Sequence, residues 1–326
     1  MNKIIITAAD TGRRLDKFLL MYLNDATRSF IYKLLRKKRI KLNGKRAQGG
    51  ELLQAGDTIE FHLSQDTLEN SRKIRVVSKS GAPPPQGRAK TTHNNDLPPI
   101  VYEDENLLII NKPTGVASHG GMKSTTTHLL ARVIAYLQQK GDYPPGATFT
   151  PALCNRLDVN TSGLVVCGKN YQALRAVNAL FATPGAIQKQ YLAIVEGELT
   201  GSATLLGLYH KDTSTNTVYI TNCDAVPTVT ITAANTVTTQ YTSLAISDGR
   251  TLVSVNPVTG RSHQIRAHLA AIGHPLLGDT KYGSTRVSNT QGQLLHCNRL
   301  ELTQPLLDYP INTAWVAEPP EGFFTI

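Results

Sequence analysis

Asn155 to Gly163 reads Asn-Arg-Leu-Asp-Val-Asn-Thr-Ser-Gly, a polar, turn-like stretch running directly into the apolar residues Leu164 to Cys167. Asp158 therefore stands at the mouth of an expected strand, with Arg156 two residues away. A carboxylate placed there suits work as a nucleophile or a base. Asp and Asn also close loops through their own side chains, so an ordinary Asx-turn remains an equal reading. A second cluster, Thr259 to Arg266, carries Arg261, His263 and Arg266, although Gly260-Arg261 reads equally well as a plain helix entry.

Other chemistries lack their residues. There is no G-x-x-x-x-G-K-[ST] and no strand–G-x-G-x-x-G–helix unit, and Ser162-Gly163 lacks the G-x-S-x-G elbow. His263 and His268 are five apart without the Glu of H-E-x-x-H. Cys154, Cys167, Cys223 and Cys297 form no C-x-x-C pair. No metal site is expected, and scattered thiols suit a reducing compartment.

The elements that position these groups follow from periodicity. Arg13 to Leu23 and Ser29 to Lys38 read as helices; in the second, Phe30/Leu34 and Ile31/Leu35 make one apolar stripe. Arg28, Lys33, Arg36, Lys37 and Arg39 gather on its other side. Ile40 to Asn43 and Thr58 to Leu63 alternate as strands, with an Asn43-Gly44 turn between them. Farther on, strands are expected at Leu107 to Asn111, Leu164 to Cys167, Tyr191 to Glu196 and Leu252 to Asn256, and others within 203–246. Helices are expected at Thr125 to Gln139, Gln172 to Thr183 and Arg261 to Ile272. In the last, Arg266 borders the stripe of Ile265, Leu269 and Ile272, from where its guanidinium can reach out of the core.

At 326 residues, 40% apolar and 18% charged, the chain can bury cores for about two domains. No apolar run approaches a membrane span or a signal peptide, so a soluble, cytoplasmic protein is expected. The net charge of +10 is unevenly placed: residues 1–97 hold 19 basic and 9 acidic residues, and the remainder is neutral. That asymmetry points to a nucleic-acid-binding part joined to a neutral one, or to a basic face that aids solubility. The expected division is a module at 1–65, a basic Ser/Gly/Pro-rich linker at 66–97, and a large domain at 98–326 in which strands outnumber helices.

The chain resembles the RluA/RluC/RluD family of bacterial pseudouridine synthases over nearly its whole length. The family's (H)-R-L-D-x-x-T-S-G matches Arg156 to Gly163, its K-x-Y matches Lys189-Gln190-Tyr191, and its G-R-[ST]-H-Q-I-R-x-H-L matches Gly260 to Leu269. Asn111-Lys112-Pro113-Thr114-Gly115 and Gly273 to Gly283 match its N-K-P-x-G and G-H-P-[IL]-x-G-D-x-x-Y-G motifs. Residues 12–65 are similar to an S4 RNA-binding module. One position departs: Asn155 stands where the family often has His.

The resemblance implies an α+β fold, with a small S4-like module and a larger mixed, mainly antiparallel sheet flanked by helices. It implies Asp158 as the catalytic carboxylate, Arg266 as its charge partner and Tyr191 packing on the target base, which stacking favours by roughly 1–3 kcal/mol. It gives Arg156 the space left by a flipped uridine, and makes Lys112 and Lys189 candidate phosphate contacts. Arg28, Lys33, Arg36, Lys37 and Arg39 would grip the RNA backbone. Isomerising uridine changes no redox state and adds no group, so no cofactor is required. The expected substrate is 23S rRNA or its precursor particle, and the expected state is a monomer. The alternatives are a synthase acting on tRNA, a non-catalytic RNA-binding assembly factor, and a glycosidic-bond hydrolase, which would need a second carboxylate facing Asp158.

Overall fold

The structure is a computed structural model that describes residues 2–71, 97–120, 128–145, 147–222, 235–285 and 292–324. It divides into two compact units: residues 1–96 with 137–151 and 169–174, and the remainder.

The first unit opens with β1 (Asn2–Ile5), α1 (Leu15–Tyr22), α2 (Arg28–Arg36), β2 (Ile40–Leu42), β3 (Lys45–Arg46), β4 (Thr58–Phe61) and α3 (Gln65–Asn70). The four strands form an antiparallel sheet in the order β1-β4-β2-β3. Asn43 and Gly44 both take positive φ, 50° and 73°, as a two-residue hairpin turn demands. The expected apolar stripe of α2 is buried at Ile31, Leu34 and Leu35, against Phe18, Leu19 and Phe61. Thr27 caps α2 by accepting the Phe30 N–H at 3.3 Å, a contact worth about 1 kcal/mol. The linker expectation needs correction at its start: residues 65–70 are helical, and Leu68 is buried in this core. The rest of the expected linker, 72–96, lies outside the described residues.

The second unit is built on an eleven-stranded sheet. The elements from here on are β5 (Ile100–Glu103), β6 (Leu107–Lys112), α4 (Leu129–Lys140), β7 (Ala152–Leu153), β8 (Ser162–Gly168), α5 (Tyr171–Ala182) and β9 (Ile187–Glu196), with the end of α4 and the start of α5 assigned to the first unit. There follow β10 (Ser202–Asp212), β11 (Thr217–Asn222), β12 (Thr236–Ser247), β13 (Arg250–Pro257), α6 (Gln264–Ala271), β14 (Leu295–Leu302) and β15 (Ala314–Val316). The strand order is β11-β10-β12-β13-β9-β14-β8-β6-β5, with β15 on β14 and β7 on β8. Every pairing is antiparallel except β14 with β8. The expected mixed, mainly antiparallel α+β architecture is therefore present.

That one parallel pairing depends on Gly163. Its φ is +113°, and a Cβ there would lie 2.2 Å from the Cys297 carbonyl oxygen. Only glycine permits this approach. The pairing brings the loop ahead of β8 beside β14 and β9, the strands of Cys297 and Tyr191. The core of this unit includes Ala193, Val195, Val253, Val255, Leu269 and Leu276.

Thr125 to Thr127 lie outside the described residues, and the helix is seen from Leu129. The helix expected from Arg261 starts only at Gln264, because His263 is left-handed, with φ 54° and ψ 13°. Periodicity locates a stripe but not the residue that turns the chain into it.

Candidate active site

Asp158 lies in the loop between β7 and β8, and that loop is fastened along its length. Asn155 uses both ends of its amide on β8: Nδ2 donates to the Leu164 carbonyl at 3.1 Å, and Oδ1 accepts the Val166 N–H at 2.9 Å. This is the position where the resembling family often has His. Asn fills it with a two-pronged structural clamp and carries no titrating group. Ser118 holds Leu157 from the other side, its hydroxyl donating to the carbonyl at 2.9 Å and accepting the N–H at 3.1 Å. The Thr161 N–H donates to the Asp158 carbonyl at 3.1 Å. A carboxylate on so constrained a loop is pre-positioned, as catalysis requires.

Arg266 meets it from α6. Nη1 donates to Asp158 Oδ2 at 2.9 Å, while Nε and Nη2 donate to Asp279 Oδ2 and Oδ1 at 2.6 and 2.8 Å. The guanidinium fork is thus locked bidentately on one carboxylate, and its remaining arm presents charge to the other. Arg266 is only 8% exposed, so it does not reach out of the core as its place on the stripe suggested; two carboxylates come to it. Burial opposes its charge, but the hydrogen bonds to Asp279 and the charges of Asp279 and Asp158 outweigh it and raise its pKa. Asp158 Oδ1 makes no hydrogen bond with any described residue.

Gln264 sets the start of α6. Its amide donates to the Thr238 carbonyl and the Thr239 hydroxyl at 3.0 Å each, and its carbonyl accepts from the Thr259 hydroxyl and the Arg261 N–H at 2.8 and 3.1 Å. Behind it, buried His268 bonds the Thr239 hydroxyl through Nδ1 at 2.9 Å, and burial pushes its pKa down to about 4.

Tyr191 lies on β9, and Lys189, two residues earlier, shares its side of the strand. Both line a cavity of about 380 Å³ together with Arg156, Asp158, His263 and Arg266. That volume falls within the usual range of small-molecule sites. Burial, with the neighbouring Cys297 thiol and Asp158, holds the Tyr191 phenol well above its ordinary pKa, so it stays neutral. Burial lowers the pKa of Lys189. A second cavity of about 400 Å³ shares the Arg156–Asp158 wall and adds His119 and Lys281. Arg156 is exposed and lines both.

Lys112 corrects an expectation. It is 0% exposed, and its ammonium donates to the carbonyls of Pro113, Val116 and Val159 at 2.9, 2.8 and 3.1 Å. All three N–H groups are used, so Lys112 stitches two loops together and is closed to phosphate. Burial pushes its pKa down to about 7, against the pull of Asp158. In the first unit Arg28, Lys33, Arg36, Lys37 and Arg39 are all exposed, and Arg28 also approaches buried Asp16 at 3.9 Å.

Asp279, Tyr282 and Gln264 had no assigned role in the sequence reading, although all three stand in the quoted motifs. Asp279 supplies the second carboxylate near Asp158, but both its oxygens are taken by Arg266 and it lines neither cavity. The facing pair that glycosidic hydrolysis needs is not formed by it. Among the described residues no cluster of His, Cys, Asp and Glu could hold a metal.

Comparison with known proteins gives the family. The model of the RNA pseudouridylate synthase family matches residues 106–271, and that of the S4 domain matches residues 13–59. The ribosomal large subunit pseudouridine synthase C of Vibrio vulnificus is 31% identical, covering 92% of this chain and 88% of its own length. The Escherichia coli protein of the same name is 31% identical, covering 93% and 88%. The solved structure of human RNA pseudouridylate synthase domain containing 1 has a TM-score of 0.52 at 23% identity, covering 69% of this chain and 84% of that one, a likeness of fold. Asp158, Tyr191 and Arg266 all fall within the matched span, and the chain belongs to the RNA pseudouridylate synthase family.

Proposed function

We propose that this chain isomerises uridines to pseudouridine in large-subunit ribosomal RNA, with Asp158 as the catalytic carboxylate. The observation that carries the reading is the state of that carboxylate: one oxygen is held by Arg266, the other makes no hydrogen bond among the described residues, and Asp158 lines a 380 Å³ cavity with Tyr191. The reaction breaks the N1–C1′ bond, turns the base and joins C5 to C1′. Oδ1 is free to act at the sugar as nucleophile or base, and the fixed guanidinium keeps the charge in place without reorganisation. Tyr191 packs against the base as a neutral ring. Arg156, on the wall common to both cavities, fills the space that the flipped uridine leaves. Lys189 contributes a cation at the cavity for the RNA backbone.

Residues 1–65 with the helix Gln65–Asn70 act as the RNA grip through Arg28, Lys33, Arg36, Lys37 and Arg39, the chain after that helix as the tether, and 98–326 as the catalytic domain. The ribosomal substrate is supported by the names of the relatives and by the S4 match; the relatives named above act on the large subunit by name. The chain works as a cytoplasmic monomer, a setting that suits Cys154, Cys167 and Cys297, none of which is in a disulfide.

The test is to map pseudouridines in large-subunit rRNA from cells lacking this chain, then restore it as wild type or Asp158→Asn. Specific uridines should lose their modification and regain it with wild type alone. An unchanged rRNA with pseudouridine missing from tRNA would move the substrate to tRNA.

A further inference from the structure

His263 ends the turn that leads into α6, and it is left-handed there, at φ 54° and ψ 13°. Histidine takes this conformation at a cost, and such residues concentrate at functional sites. Its half-buried imidazole bridges two groups. Nε2 lies 3.7 Å from Asp158 Oδ2, and Nδ1 lies 2.8 Å from the Tyr282 hydroxyl. The first distance is an electrostatic contact, longer than a hydrogen bond.

The direction of the chain can be worked out. The Tyr282 oxygen already accepts the backbone N–H of Val218, on β11, at 3.0 Å. Its own hydrogen then needs an acceptor, and His263 Nδ1 is the one in place. With Nδ1 as that acceptor, the order is Val218 N–H to Tyr282, and Tyr282 O–H to Nδ1. An accepting Nδ1 puts the proton of a neutral imidazole on Nε2, facing Asp158. Burial lowers the pKa of His263; Asp158 and Asp279 pull it up, and Arg266 and Lys281 push it down.

Tyr282 also braces the other partner of Asp158. Its ring stands at 88° to the imidazole with centroids 5.8 Å apart, and it lies under the Arg266 guanidinium at 5.0 Å. Both cationic or donating groups that converge on Oδ2 thus rest on one phenol. We infer that His263, oriented by Tyr282, is a positioning residue for Asp158: with Arg266 it pins Oδ2 and leaves Oδ1 as the reacting oxygen.

This inference rests on the synthase reading above, and its test separates the two. The imidazole of His263 is read by ¹⁵N NMR in the full-length protein labelled at histidine, with His263→Gln to assign the signal. The expected neutral form carries its proton on Nε2, and Tyr282→Phe should mix the tautomers. This readout needs no activity. In single-turnover assays His263→Ala should lose about 10-fold in rate, the scale of one weakened contact to a charge, with RNA affinity unchanged. His263→Gln keeps an N–H at the reach of Nε2 and should recover most of that loss. An Nδ1–H tautomer in wild type, or equal losses for Ala and Gln, would overturn the inference. If wild type formed no pseudouridine while the Nε2–H tautomer was seen, the synthase reading would fail and the assigned orientation of His263 would stand.

Discussion

Two helices, one in each unit, handle charge in opposite ways. On α2 the cations Lys33, Arg36 and Lys37 point to solvent, held there only because Ile31, Leu34 and Leu35 take the inward face. Around α6 the charges are drawn inward: Arg266 is buried between Asp158 and Asp279. Exposed charges contribute through their sum and are individually replaceable. A buried charge needs its partner, and removing one leaves the other uncompensated. The basic helix is therefore suited to gripping a long polyanion, and the buried network to holding one carboxylate in one pose.

That contrast predicts a graded series of effects. Asp158→Asn should abolish turnover, by about 10⁴-fold or more, with RNA affinity and thermal unfolding near wild type. Loss of RNA affinity in parallel would mean that the carboxylate serves binding. Next, Arg266→Met should destabilise the fold by about 3–5 kcal/mol, since buried Asp279 loses the fork that holds both its oxygens. Adding Asp279→Leu should restore most of that stability in denaturant titrations and none of the turnover. A recovered rate would show that Arg266 acts only as scaffold.

Within the same unit, His268 gives a pH-dependent effect. Its folded-state pKa of about 4 lies below the unfolded value, so the unfolded chain binds the proton first. Stability linked to His268 should be intact above about pH 6.5 and fall by up to about 3 kcal/mol as pH drops toward 4. His268→Gln should flatten that part of the unfolding profile. The smallest effect belongs to the exposed helix. Arg36→Ala should reduce the salt slope of RNA binding by about 1 and leave stability within about 0.5 kcal/mol. A large loss from this one residue would break the contrast between summed and individual charges.

How much of this the sequence disclosed follows the same division. The α2 stripe and its cations were readable because a 3.6-residue period sorts residues by face without knowledge of the rest of the chain. The S4-like and catalytic motifs were readable as resemblance, and the structure brings Asp158, Tyr191 and Arg266 to one cavity. The partner of Arg266 beyond Asp158 was not readable. Asp279 is 13 residues away across a turn, and ion-pair choice at that range is set by tertiary packing. Lys112 shows the same limit. A lysine at a strand end resembles any surface cation until the carbonyls of Pro113, Val116 and Val159 close around it, the last from 47 residues away. His263 stood in the Thr259–Arg266 cluster without a role of its own, because its left-handed backbone and its bond to Tyr282 exist only in the folded chain.

The central claim is that Asp158, held through one oxygen, performs the isomerisation. The most direct test is tritium release from large-subunit rRNA labelled at C5 of uridine, since joining C5 to C1′ must expel that hydrogen whichever uridine is the target. Wild type should release tritium and Asp158→Asn should not, while both bind the RNA equally. Equal release by the two proteins would contradict the assignment of Asp158.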